Sequence, residues 1–224
     1  MKWFTELFSS TLGRKLVMAL TGLFLISFLI IHLIGNLQLL KHDGGEAFNV
    51  YAQFMTHNPI IKTISYTLYA SILIHTLWAL MLTVYNRKAR GQGYAISGKS
   101  STWSSRNMGI LGTVVFIFIV IHMKDFWAQM HWGGIPTQTY NGNEVKDLYA
   151  IVALAFGEAW YVILYVFCMI ALAFHLYHGF GSAFQTLGLN HLKYNPVIKV
   201  VGFTFALIVP ALFAWIPIAM FFKM

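Results

Sequence analysis

A chain of 224 residues that is 58% hydrophobic and only 10% charged is not an ordinary soluble domain, where charged residues make up about a quarter of the total. Its formal charge of +8 would suggest a nucleic-acid partner in a soluble protein, but the positions of the cations argue for membrane topology instead. Uncharged runs lie at 16–40, 63–86, 107–123, 159–192 and 200–222. A helix needs roughly 20 apolar residues to cross the hydrocarbon of a bilayer, and the third run reaches that length by continuing to Trp127. The expected fold class is therefore an all-α integral membrane protein. It forms one membrane-embedded domain over 1–224, with spans at about 16–40, 63–86, 107–127, 159–183 and 200–222.

Ahead of the first span, Trp3, Phe4, Leu7, Phe8 and Leu12 suggest a short interfacial helix. The first apolar run is too long for a secretory signal and lacks a small-residue cleavage site, so none is expected. After it, Asp43-Gly44-Gly45 is a turn signal. A short surface helix is expected from Glu46 to Phe54, closed by Asn58-Pro59. The connection at 87–106 carries five cations and no acid, and 130–147 reads as a loop rich in Gly, Thr and Asn. Pro210 and Pro217 should kink or loosen the last helix. Cys168 is alone, which excludes an internal disulfide, an iron–sulfur cluster held by this chain and the C-x-x-C-H attachment of a c-type haem.

With the N-terminus inside, the cytoplasmic segments hold ten Lys or Arg against Glu6, and the opposite segments hold five lysines against six acids. That is the positive-inside bias, and it sets the N-terminus in the cytoplasm and the C-terminus outside.

Four spans each carry a histidine deep inside: His32, His75, His122 and His175. An imidazole in hydrocarbon is costly without a partner, and ionisable groups within spans mark functional sites. Four such rings give two metal centres two axial ligands each, the arithmetic of two haems of b type. Depth follows from counting inward from the cytoplasmic cations. His32 lies 17 residues after Lys15 and His122 lies 16 after Arg106, so at about 1.5 Å per residue they share one level toward the outer face. His75, 12 residues before Arg87, and His175, seven before Ser182, fall on the cytoplasmic side. The expected pairs are His32 with His122 and His75 with His175, with His178 the alternative ligand one turn beyond His175.

Two imidazoles per iron suit a low-spin haem that only transfers electrons. Each ring would give one nitrogen to iron and donate its other N–H to a carbonyl or hydroxyl on its own helix. The competing reading is that the histidines hydrogen-bond between helices. Gly22 and Gly112 each precede a histidine by ten residues, a weak internal repeat in which each glycine flanks its histidine and lets a macrocycle or a helix approach. His42, His57, His131 and His191 fall in loops and read as solvated, with His42 or His57 also placed to touch a quinone. Apart from Asp125 and Glu158 near span ends, the spans hold no carboxylate, unlike a proton pump or ion-coupled transporter.

Several short pieces recur in a fixed order along the chain: Gly13-Arg14-Lys15, Thr21-Gly22-Leu23 leading to His32 and Asn36, Gly44-Gly45-Glu46-Ala47-Phe48-Asn49, Phe54-Met55, and His75. Asn86 with Ala89-Arg90 follows, then Ser105-Arg106 leading through Gly112 to His122, and His175-Leu176-Tyr177-His178-Gly179-Phe180. Over essentially the whole chain this resembles the di-haem cytochrome b membrane-anchor subunit of bacterial succinate dehydrogenases and fumarate reductases.

The resemblance implies that the four histidines ligate two haem b, one near the cytoplasm and one near the outer face. It implies an iron–sulfur subunit docked on the cytoplasmic face and an FAD flavoprotein that interconverts succinate and fumarate. It also implies a quinone, often menaquinone, reacting in the cytoplasmic membrane of a bacterium. The fourth-helix motif favours His175 over His178. Some relatives carry a glutamate just before that histidine as a proton route, whereas Ala171-Leu172-Ala173-Phe174 stands here.

Proton transfer on the quinone side points to Glu46 and Asp43, whose plainer roles are surface charge and turn former. Arg14 and Arg106 are placed either to pair with haem propionates or simply by topology. The basic 87–106 connection is the expected docking surface for the iron–sulfur subunit. The rival readings are a cytochrome b subunit of a hydrogenase or formate dehydrogenase, and a non-haem transporter or scaffold.

Overall fold

The computed structural model describes residues 10–90 and 102–223. In chain order its helices are α1 (Thr11–Asn36), α2 (Glu46–His57), α3 (Pro59–Arg90), α4 (Trp103–Arg106), α5 (Met108–His122), α6 (Ala128–Trp132), α7 (Leu148–Phe156), α8 (Ala159–Thr186) and α9 (Asn195–Lys223). A π-helical turn at Met123–Trp127 joins α5 to α6. The protein is mostly helical, and five of its helices are long and apolar enough to cross a membrane: α1, α3, the continuous α5–α6 unit, α8 and α9. The interfacial helix expected before Leu12, and most of the basic connection, lie outside the described residues.

The spans run past the uncharged stretches because polar caps, not the last apolar residue, end a helix. Ser10 caps α1, its Oγ accepting from the Gly13 N–H at 3.0 Å, so the helix takes in Arg14 and Lys15. Asn58 Oδ1 accepts from the Ile60 N–H at 3.0 Å, and Pro59 occupies the first helical position of α3, where its missing N–H costs nothing. The third span continues beyond Lys124 and Asp125 to Trp132. Pro210 and Pro217 both lie inside α9 and are fully buried.

Helix α1 packs on α3 and α8, and α5 packs on the same two. The four therefore close into a square, with α1 opposite α5 and α3 opposite α8, and α9 lies against α8 and α1. Apolar side chains such as Leu73, Leu77 and Leu80 on α3, or Ile163, Phe167 and Ile170 on α8, stay exposed. In hydrocarbon such faces meet lipid tails as apolar as themselves.

One end of the square is closed by a cap that includes α2, the short helix expected from Glu46, which runs on to His57. The structure replaces the expected loop at 130–147 with α6 and a two-stranded hairpin, β1 (Thr137–Tyr140) and β2 (Asn143–Lys146), followed by α7. Asn141 and Gly142 take φ of 51° and 79° at the tip, the geometry that a two-residue hairpin turn demands. Asn49 of α2 joins these parts. Its Nδ2 donates to Asp147 Oδ1 at 2.9 Å and to Tyr140 Oη at 3.2 Å, and its Oδ1 accepts from the Tyr149 N–H at 2.8 Å. Asp147 also accepts from the Ala150 N–H and so caps α7. Beneath the cap a buried cluster includes Leu33, Phe48, Phe126, Phe156, Tyr161 and Val209.

Candidate functional site

Inside the square the four span histidines meet in two pairs, one across each diagonal. His32 on α1 and His122 on α5 have ring centroids 5.6 Å apart at an interplanar angle of 87°. His75 on α3 and His175 on α8 are 6.4 Å apart at 62°. These are the partners that counting from the cations sets at common depths. The ring opposite His75 is that of His175, while His178 lies half-buried one turn further on.

The two pairs have different surroundings. Aromatic rings enclose the pair nearer the cap. Phe28 stacks on His32 at 5.1 Å and 21°, and Phe213 of α9 lies 5.6 Å from it. Phe118 and Phe126 flank His122 at 5.7 and 5.4 Å. Asn36 Nδ2 lies 3.4 Å from both ring nitrogens of His32 and donates to the His32 carbonyl at 2.8 Å. His122 Nδ1 is 3.1 Å from Tyr165 Oη, so its partner comes from α8 and not, as expected, from its own helix.

Backbone borders the other pair. A Cβ at Gly22 would stand 3.3 Å from His75 Cε1, and one at Gly112 3.7 Å from His175 Cε1. Each glycine thus serves a histidine on a neighbouring helix, not the one ten residues along its own chain. The reason is distance: ten residues is about 15 Å of helix, enough to pass from one histidine level to the other. Thr21 Oγ1 lies 3.1 Å from His75 Nδ1 while donating its single proton to the Val17 carbonyl at 2.8 Å. The hydroxyl oxygen can then only accept, so His75 donates through Nδ1 and keeps its lone pair on Nε2. His175 Nδ1 is buried without a hydrogen-bond partner among the described residues.

No group of three or more His, Cys, Asp or Glu able to hold a metal ion occurs among the described residues. A protein metal site built on side chains alone needs about three or four ligands, so paired imidazoles suit a centre that brings its own equatorial donors. Haem is such a centre. Metal–imidazole bonds of about 2 Å put two ligating rings roughly 6 Å apart, which the observed 5.6 and 6.4 Å bracket. Gly22 on α1 and Gly112 on α5 present no side chain beside the His75–His175 pair, where a flat macrocycle would need room. The residues fit two haems. Neither a protein-family model, nor a curated protein, nor a solved structure matches the chain.

The remaining candidates lie at the two ends of the bundle. Arg14 is half-buried in the first turn of α1 and Arg106 exposed at the end of α4, both on the side of the His75–His175 pair. Asp43 spends both carboxylate oxygens on the turn before α2, accepting from the Gly45 N–H and the Ala47 N–H at 3.1 Å each. Glu46 follows in the first turn of α2. A cavity of about 390 Å³ at the same end is lined by Lys41, His42, Gly44, Tyr149 and Lys223 among others, but by neither Asp43 nor Glu46. His57 and His191 are exposed. His131 belongs to α6 and stacks on Trp127 at 4.4 Å, where a loop position was expected. Tyr165 and Tyr161, absent from the sequence reading, carry a usable signal: two phenols one turn apart within an apolar span.

Proposed function

We propose that this chain is the di-haem cytochrome b membrane anchor of a succinate:quinone oxidoreductase. It would exchange electrons between a cytoplasmic iron–sulfur and FAD flavoprotein module and a membrane quinone. The observation that carries the reading is the pairing of four span histidines across the two diagonals of one square, at two levels. His32 with His122 and His75 with His175 would each hold one haem b, which would supply one-electron transfer. The protein's own part is to orient the rings: Thr21 and Tyr165 each take the Nδ1 side of one histidine from another helix, while Gly22 and Gly112 keep side chains away from the second pair.

The positive-inside count supports a cytoplasmic N-terminus and sets the hairpin cap at the outer face. His75 and His175 then ligate the inner haem and His32 and His122 the outer one. Arg14 and Arg106 lie on the inner side, where propionates need cations. Lys41 and His42, which line the cavity at the cap end, offer donors to quinone carbonyls. Asp43 is occupied by the turn, which leaves Glu46, in the first turn of α2, the better proton acceptor at that end. The basic 87–106 connection would steer the iron–sulfur subunit.

The test is a pyridine haemochrome assay with identification of the co-purifying subunits. Two haem b per polypeptide are expected, together with an iron–sulfur subunit and a succinate-oxidising flavoprotein. Two haems with hydrogenase or formate dehydrogenase subunits would reassign the family, and one haem or none would defeat the reading.

A further inference from the structure

We propose that Thr21 is a positioning residue for His75, and that Leu111, its counterpart on α5, leaves His175 without the same support. The two ring ligands of one centre then differ in strength, and each can be adjusted from one residue on a neighbouring helix. The inference rests on reading the His75–His175 pair as haem ligands.

Helices α1 and α5 repeat one arrangement. Gly22 stands ten residues before His32, and Gly112 ten before His122. Both glycines face the same edge of a ring on another helix. A Cβ at Gly22 would lie 3.3 Å from Cε1 and 3.8 Å from Nδ1 of His75. One at Gly112 would lie 3.7 and 3.9 Å from the same two atoms of His175. The two copies part at the residue before the glycine, which is Thr21 on α1 and Leu111 on α5.

Thr21 meets His75 Nδ1 with its hydroxyl oxygen, 3.1 Å away. Its single proton has two carbonyls in reach, that of Val17 at 2.8 Å and that of Met18 at 3.2 Å, and a carbonyl can only accept. With the proton spent there, the hydroxyl accepts from Nδ1, and the His75 lone pair is left on Nε2. One hydrogen bond thus sets both the tautomer and the orientation of the ring. Leu111 is buried and its side chain has no polar atom. His175 Nδ1 is correspondingly buried without a hydrogen-bond partner among the described residues. Ligation through Nε2 obliges each ring to carry its hydrogen on Nδ1, so His75 donates that hydrogen and His175 has nothing to give it to.

Donation from Nδ1 raises the basicity of the ligating nitrogen, and a hydroxyl that is itself donating is a better acceptor. A more basic ligand favours the ferric state and lowers the potential of its centre.

Redox titration of both haems in the full complex, with electron paramagnetic resonance of the oxidised state, tests this. Thr21→Val keeps the shape and loses the hydroxyl. The midpoint of the His75/His175 component should rise, and its low-spin signal should move as the ring is freed. Thr21→Ser should restore both to the wild-type values. Leu111→Thr should lower the midpoint of that component relative to Leu111→Val, which has the same shape without the hydroxyl. The His32/His122 component should stay in place throughout. An unchanged midpoint in Thr21→Val with both haems present overturns the proposal, as does Thr21→Ser behaving like Thr21→Val. If Thr21→Val loses a haem, the Leu111 pair decides, because it adds a hydroxyl and removes none; equal midpoints there overturn the proposal. A wild-type protein without haem defeats the functional reading instead.

Discussion

The two histidine levels are built from opposite materials. Around His32 and His122 the bundle supplies side chains: four phenylalanines, an amide and a phenol, all under a cap that joins α2, the hairpin and α7. Around His75 and His175 it supplies backbone and one threonine. The first arrangement fixes ring orientation by filling space, and the second by leaving it. One helix square thus holds two similar ring pairs with different surroundings.

The sharpest way to break this comparison is to remove one ring. His32→Ala and His122→Ala should each abolish the same spectral component and spare the other, while His75→Ala and His175→Ala do the converse. Reduced-minus-oxidised spectra of the four variants decide the matter. If His32→Ala and His75→Ala removed the same component, the diagonal pairing would not describe the ligands.

A smaller effect tests whether the cap serves one level only. Asn49 is fully buried and makes three cap contacts. Asn49→Leu strands the Tyr149 N–H, at a cost on the order of 1–3 kcal/mol for an unsatisfied group, and removes one of the two hydrogen bonds that Asp147 Oδ1 accepts, leaving that from the Ala150 N–H. On heating in detergent, the variant should lose its His32/His122 component at a lower temperature than the wild type and keep the other component's midpoint. Equal loosening of both would mean that the cap stabilises the bundle as a whole.

These two levels were unequally legible in the sequence. The five spans stand out because apolar length is a strong signal, and counting from cations needs only a constant helical rise. The cap does not stand out: its strands have four residues each and are mostly exposed, so no alternation marks them. Asn141-Gly142 between Tyr140 and Asn143 was the available cue. Gly22 and Gly112 show a different limit. Spacing along one helix tells which face a residue shares, but the face a glycine opens belongs to whichever helix packs there. Tyr165 reaches His122 in the same way, from a neighbour that the sequence does not name.

The finest test compares the two glycines. At Gly22 a methyl group would approach His75 Cε1 to 3.3 Å, closer than side-chain carbons normally come, whereas at Gly112 the 3.7 Å to His175 Cε1 is ordinary contact. The His75 ring is also held by Thr21, one residue from Gly22 on the same helix, so it has little freedom to retreat without lengthening that hydrogen bond. Gly22→Ala should therefore shift the band position or the potential of the His75/His175 component slightly, with haem content intact, and Gly112→Ala should leave both unchanged. The His32/His122 component serves as the internal control, because each glycine lies about 15 Å along its helix from that level. If both substitutions were silent, the glycines would matter only for helix packing. A shift confined to the His32/His122 component would instead return each glycine to the histidine on its own helix.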